Sequence, residues 1–396
     1  MPWVHDTARA FMPYPEVPVA QAATGPLSGL SFAVKDLFDV AGYPTSAGQP
    51  FVLAMSGIKT HHADAVGKLL DAGARFVGKV VTDELAFSMN GNNAHFGAPI
   101  NGSSPDRITG GSSSGSAAAV SNRLADIALG TDTGGSVRAP ASHCGLYGIR
   151  PTHGRVSLQG CMDLSPSFDT CGWFARDVQT FARAADVLLG ADPQPLPDRV
   201  RLLLPEDVWG LLDEPARQAL APTRQRIESV LGSSQATRVV LDDFDAMYWN
   251  FRYIQGREAW MTDGPLIERF SPPLGPGVAD RFAWSRTVTD EQVAQAHTYR
   301  QRYRTHLATL LGRDGVLLMP TMPDVAPLRT DSEASLEDYR NRAIRMLCIA
   351  GLSGCVQISL PLASRAGAPV GISLLGPAGS DRSLIALAER LGAART

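Results

Sequence analysis

The 396-residue chain is short of several things, and each shortage removes a class of function. No apolar stretch approaches the roughly 18 residues that a membrane-crossing helix needs. Lysine and arginine, 36 together, do not outnumber the 39 acidic residues. The resulting net charge of −3 offers no basic field for nucleic acid or an anionic membrane. Five cysteines (Cys144, Cys161, Cys171, Cys348 and Cys355) are an odd number without CxxC spacing. They fit reduced thiols in a cytoplasmic setting better than a disulfide frame or a zinc site. The opening Met1–Asp6 lacks the basic flank and apolar run of a secretory leader. His61 and His62 lie near Asp64, but no third ligand follows at a metal-binding spacing, so no metal is expected. What remains is a chain that is 44% hydrophobic, long enough for a large core, with the profile of a cytoplasmic enzyme.

What is present begins with a strand–helix rhythm. Leu30–Val34 is a short apolar run that predicts a buried strand, stopped by the charged pair Lys35-Asp36. Ala65–Ala72 has helical spacing, with Gly73 at the C-cap position, and Arg75–Val81 predicts the next strand. The pattern points to βαβ units and a largely parallel sheet. Asn90–Ser116 is a long Gly/Ser/Asn-rich loop, Ser116–Ala128 an Ala-rich helical pattern, and Gly130–Gly148 is again dense in glycine. Residues 195–312 turn helical and charged, which suggests a helical insertion over one sheet. There, Thr289 and Gln292 form a capping box for a helix reaching about Leu311. Strands are expected again at Gly315–Met319, Cys355–Leu360 and Pro369–Leu375, then a closing helix at Asp381–Leu391. With no repeat and no clear linker, residues 1–396 are expected to form one domain.

The densest signal is Thr109–Ser116. As a phosphate loop it has glycines at the right spacing, but Ser116 stands where a lysine is needed. As a nucleophile elbow, Gly111–Gly115 would present Ser113, but no strand precedes it. A bare flexible loop is the third reading. The balance shifts with Gly130–Pro140, where Gly134-Gly135-Ser136 allows successive backbone N–H groups to point into one concavity beside a serine hydroxyl. Acyl transfer needs that pairing of nucleophile and oxyanion hole.

Together, Gly110–Ser116, Gly130–Ser136, Cys144-Gly145 and Arg150-Pro151-Thr152 resemble the amidase signature family, with Ser112 and Ser136 at that family's spacing of 24. The resemblance runs from about Leu27 to Leu391. It implies an α/β fold: a large mixed, mainly parallel sheet flanked by helices on both faces. It also implies a Ser–cis-Ser–Lys triad in which Ser136 is the nucleophile, Ser112 the bridging cis-serine and Lys35 the base. Thr133, Gly134, Gly135 and Ser136 would supply the oxyanion-hole amides. Lys35 ends an apolar strand, so burial would lower its pKa and free its lone pair. Asp36 would oppose this only if it faced the ammonium, and adjacent strand residues point to opposite faces.

Thr109 and Ser114 depart from the commoner family pattern, which places many members' Pro and Gly there. The Gly110–Ser116 form, with Asn90-Gly91 upstream and Ser167-Phe168-Asp169-Thr170 downstream, resembles the branch of plant indole-3-acetamide hydrolases and amidase-like chloroplast import receptors. Phe87 and Met89 by position would wall the acyl pocket, or else pack in the core. His143 would line the pocket or serve packing. Trp260 and Leu274–Pro276 lie in residues 195–312, which the resemblance implies to be a variable helical insertion covering the substrate pocket, where substrate selectivity is built. The resemblance implies hydrolysis of a small neutral aryl or arylacetyl amide, without cofactor, with a homodimer as its assembly. A glutaminase subunit of a tRNA-dependent amidotransferase is the first alternative. A non-catalytic binding platform is the second.

Overall fold

The computed structural model describes residues 6–393. The leader reading of the first five residues lies outside them. In chain order the elements are β1 (Ser31–Lys35), α1 (Pro50–Ser56), α2 (Asp64–Asp71), β2 (Arg75–Val80), α3 (Ser114–Ser121), β3 (Ile127–Thr131) and α4 (Arg138–Cys144). There follow β4 (Tyr147–Arg150), β5 (Cys171–Ala175), α5 (Val178–Leu188), β6 (Arg201–Pro205), α6 (Glu206–Trp209), α7 (Glu214–Leu231) and β7 (Gln235–Thr237). The chain closes with α8 (Phe244–Phe270), α9 (Pro276–Arg286), α10 (Asp290–Leu311), β8 (Gly315–Pro320), α11 (Glu333–Ser353), β9 (Val356–Arg365), β10 (Ala368–Gly376) and α12 (Asp381–Ala393).

All ten strands join one sheet in the order β2-β1-β3-β5-β4-β9-β10-β8-β6-β7. Alternation along the strands sets its two faces. Phe32, Val34, Ile127, Leu129 and Trp173 belong to one apolar cluster, with Leu69 of α2, Phe181 of α5 and Leu384 of α12. Their neighbours Ala33, Ala128 and Phe174 belong to a second cluster, with Ala117, Ala118, Ala119 and Val120 of α3 and Ala141 of α4. Small residues on the second face let α3 lie close to the sheet. Helices thus cover both faces, as the α/β expectation required.

The sheet is less parallel than expected. Four pairings are parallel (β1–β2, β1–β3, β6–β7, β6–β8) and five antiparallel. Periodicity does not encode strand direction, and short connections force reversal. β9 and β10 are joined by Ala366-Gly367 alone, both at positive φ, the geometry of a two-residue hairpin turn. The Ala-rich 116–128 stretch also divides: α3 stops at Ser121, Arg123 turns the chain at φ 61°, and Ile127 already begins β3. The capping box at Thr289 opens α10 as expected. Residues 195–312 are mostly helical but also supply β6 and β7 at one edge, so this segment completes the sheet besides packing α8 against α9, α10 and α11.

Candidate active site

Parallel pairing of β1 with β3, Phe32 opposite Ile127 and Val34 opposite Leu129, makes the two strands finish together. Lys35 therefore arrives beside Thr131, at the carboxyl ends of strands where α/β sheets commonly build sites. Lys35 is fully buried, and its Nζ donates to Ser112 Oγ at 2.7 Å and to Thr131 Oγ1 at 2.7 Å. Burial pushes the ammonium down to about 8, against the pull of the Asp83, Asp169 and Asp132 carboxylates. Asp36 faces elsewhere: it pairs with Lys79 at 2.6 Å and accepts from Tyr14 Oη (2.6 Å) and the Ser46 N–H (3.0 Å).

Ser112 follows a cis Gly111–Ser112 peptide. Gly111 lies so close to Asp83 that a Cβ there would stand 2.1 Å from Oδ2. The Ser112 carbonyl accepts from the Asp83 N–H (3.0 Å) and from Thr82 Oγ1 (3.1 Å), which pins the loop to the chain leaving β2. Ser113, the candidate of the elbow reading, is fully buried and donates to Thr131 O at 3.2 Å.

Asp132 organises the turn that carries Ser136. Its Oδ1 accepts from Gly135 N–H (3.0 Å), and its Oδ2 from Val137 and Arg138 N–H (3.1 and 3.2 Å). Arg138 Nη2 and Arg150 Nη1 reach Oδ1 at 2.7 and 3.1 Å. Burial would raise the Asp132 carboxyl, but Arg138, Arg150 and the amides hold it well below the usual carboxylate range. This corrects one expectation: the Gly135 N–H is spent on Asp132. Gly135 serves the turn instead, at φ 121° with Leu347 Cδ1 2.4 Å from where a Cβ would sit. The Thr133, Gly134 and Ser136 amides have no backbone or side-chain acceptor among the described residues. The Thr133 hydroxyl donates to Asp169 Oδ1 at 2.5 Å.

Gly134 and Ser136 border a narrow cavity with Phe87, Met89, Phe251 and Arg340. Phe87 and Met89 border the same space as the serine, and both also belong to the apolar core. His143 is placed elsewhere. It is buried in α4, its Nε2 3.0 Å from Tyr339 Oη, and burial lowers its pKa to about 3. Seven residues beyond Ser136, it packs against Tyr339 and does not border the cavity. Among the described residues no three His, Cys, Asp or Glu side chains are grouped to hold a metal. No described helix is long and apolar enough to cross a membrane.

Sequence reasoning missed the second partner of Lys35, Thr131, and the contribution of Phe251 and Gln255 on α8 and Arg340 and Ile344 on α11. It also missed a larger chamber of about 600 Å³, bordered by Glu84, Ser88, Arg252, Arg281, Trp284 and Glu337. Ser88 borders both spaces. Gly275 and Pro276 line the chamber, whereas Trp260 lies under the Arg286 guanidinium.

An α/β sheet that joins a depressed lysine to one serine, and sets another serine among unsatisfied amides, has the make-up of a serine hydrolase. Comparison with known proteins narrows that class. The family profile described as Amidase matches residues 6–216 and 266–385. The chain is 37% identical to Amidase 1 of Arabidopsis thaliana, over 95% of this chain and 96% of that protein. It is 33% identical to the chloroplastic Outer envelope protein 64 of the same plant, over 94% of this chain and 67% of that one. A solved structure described as an amidase superposes with a TM-score of 0.84 at 30% identity, over 93% of this chain and 85% of that chain. The chain belongs to the amidase family and is a hydrolase of amide C–N bonds.

Proposed function

We propose that the protein hydrolyses a small-molecule carboxylic amide through an acyl-enzyme on Ser136. The observation that carries this is the fully buried Lys35, lowered to about 8 and 2.7 Å from Ser112 Oγ. In its neutral form Lys35 takes the Ser112 proton as Ser112 takes that of Ser136, and Ser136 Oγ attacks the amide carbonyl. The oxyanion is held by the Thr133, Gly134 and Ser136 amides, oriented by the Asp132 network. Collapse of the tetrahedral intermediate breaks the C–N bond, and the proton returns through Ser112 to the leaving amine. Water then releases the acid.

Phe87, Met89, Leu164, Phe251 and Ile344 around the Ser136 cavity suit an aryl or other hydrocarbon next to the carbonyl. The five free thiols suit a reducing compartment such as the cytoplasm. In this reading the enzyme needs no cofactor, nucleic acid or membrane partner, and the homodimer is the assembly implied by the resemblance. The test is ammonia release from benzamide, indole-3-acetamide, short aliphatic amides, malonamate and glutamine. Wild type is expected to turn over arylated amides, and Ser136→Ala to lose about 10⁴-fold or more while staying folded. Retained turnover in Ser136→Ala would overturn the mechanism. Activity on glutamine alone would favour the amidotransferase-subunit reading.

A further inference from the structure

The chamber beside the Ser136 cavity holds an imbalance of buried charge. Arg252 of α8 and Arg281 of α9 line it, Arg340 of α11 lines the adjoining Ser136 cavity, and the three are 6%, 9% and 4% exposed. Glu337 answers two of them, Arg340 Nη1 at 2.9 Å and Arg281 Nη1 at 3.5 Å. Arg281 Nε also donates to the Phe87 carbonyl at 2.6 Å, which ties the chamber wall to the residue beside Ser136. Arg252 is different. Its Nε and Nη1 are buried without a hydrogen-bond partner, and no carboxylate among the described residues lies at ion-pair distance from it. Its contacts are aromatic: the guanidinium lies 4.7 Å from the Trp284 ring centroid and 5.9 Å from that of Tyr248. Cation–π contacts of this kind attract the guanidinium without neutralising it.

The other acids at the chamber do not balance the set. Glu84 is already engaged by His95 Nε2 (2.8 Å), the Gly275 N–H (2.8 Å) and Gln49 Nε2 (3.3 Å). Asp280 and Glu333 are exposed at the rim, where water screens them. Two of the guanidiniums therefore share Glu337, and Arg252 is left without a carboxylate partner among the described residues. A buried charge without a counter-ion is strongly unfavourable, so such an arrangement is complete only with an anion in the chamber. A planar guanidinium with free N–H groups presents a fork that matches a carboxylate. The volume, about 600 Å³, is that of a small-molecule subsite.

We propose that this chamber is the subsite for a carboxylate carried by the substrate, so that the enzyme acts on amides whose acyl part ends in an acid group. Arg252 is the principal ligand, with Arg281 beside it and Arg340 at the adjoining Ser136 cavity. The proposal rests on Ser136 as the reacting serine and replaces the neutral substrate with an anionic one. The hydrocarbon wall at Phe87, Met89 and Phe251 then spans the stretch between the amide and the acid.

The experiment compares matched pairs: adipamate with hexanamide, and 4-carboxyphenylacetamide with phenylacetamide. Wild type is expected to favour the acid-bearing member by roughly tenfold to a hundredfold in kcat/KM, the worth of a charged hydrogen bond in a dry site. Arg252→Met should erase that preference chiefly through KM, and Arg252→Lys should keep part of it. Preference for the neutral member, or an Arg252→Met ratio equal to wild type, would overturn the proposal. Calorimetric titration of adipate into Ser136→Ala protein, with inorganic phosphate in parallel, reads the subsite without turnover. Adipate binding weakened tenfold by Arg252→Met supports the proposal. Equal affinity for phosphate makes the chamber a general anion site and overturns it. If no amide is hydrolysed, the Ser136 reading fails, while the adipate titration still decides the chamber.

Discussion

The two sides of the active site treat buried arginine in opposite ways. On the sheet side, Arg138 and Arg150 converge on Asp132, and Arg138 also meets the Leu347 carbonyl (2.9 Å) and Gln357 Oε1 (2.6 Å). On the helical side, Arg252 has aromatic neighbours and no anion. A satisfied buried charge rigidifies, because every group around it has one good arrangement. An unsatisfied one stores an electrostatic debt that a ligand can discharge. The first kind sets the serine turn, and the second equips the chamber for recognition.

Opposite responses to substitution would sharpen this contrast most. Asp132→Ala leaves two buried guanidiniums facing each other and is expected to cost about 3–5 kcal/mol of stability. Arg252→Met keeps much of the stem against Trp284 while removing the unpaired charge, and is expected to stabilise the ligand-free protein by about 1–3 kcal/mol. Urea denaturation of the two variants beside wild type reads both. If both substitutions destabilise alike, the division between structural and recognising arginines is wrong.

Lys35 stands between the two sides, and pH examines it. With the base titrating at about 8, log kcat/KM should climb by about one per pH unit below that value and level off above it. Stability carries the same signature with a definite sign. The folded pKa lies below the ordinary 10.5, so between about pH 8 and 10.5 the unfolded chain binds the extra proton. Unfolding free energy should therefore gain a positive contribution as pH rises through that window. Lys35→Met should remove both the activity rise and this contribution. A flat activity profile from pH 6 to 9 would exclude Lys35 as the titrating base.

The sequence discloses the sheet side far better than the helical side, and the reason is physical. Ser112, Ser136 and the glycines around them occupy two short stretches, where backbone geometry demands particular residues at fixed offsets. Lys35 is legible as the charged stop of an apolar strand. Asp132 lies within the Gly130–Pro140 motif, but its grip on Gly135 depends on which way one amide turns, and spacing does not report that. Thr131 was hidden by the parallel register of β1 and β3. Arg252, Arg281 and Arg340 come from three separate helices, and each reads alone as an ordinary helix-surface arginine. Strand direction fared likewise: the β9–β10 run alternates as any strand does, while the Ala366-Gly367 turn makes it antiparallel.

The smallest expected effect concerns His143, which sequence proximity had placed near the pocket. Tyr339 Oη donates its proton to the Asp324 carbonyl at 2.7 Å, so it must accept from His143 Nε2–H. That leaves the Nδ1 lone pair buried against Gly110 without a donor. His143→Phe therefore loses one hydrogen bond but also removes an unmatched acceptor, and the net cost should be about 1 kcal/mol or less. Because the ring's pKa lies near 3, it stays neutral where the enzyme works, and the activity–pH profile should not move. KM for every amide in the panel should stay within about twofold. A selective rise in KM for one substrate class would return His143 to the pocket and draw α4, besides α8 and α11, into recognition.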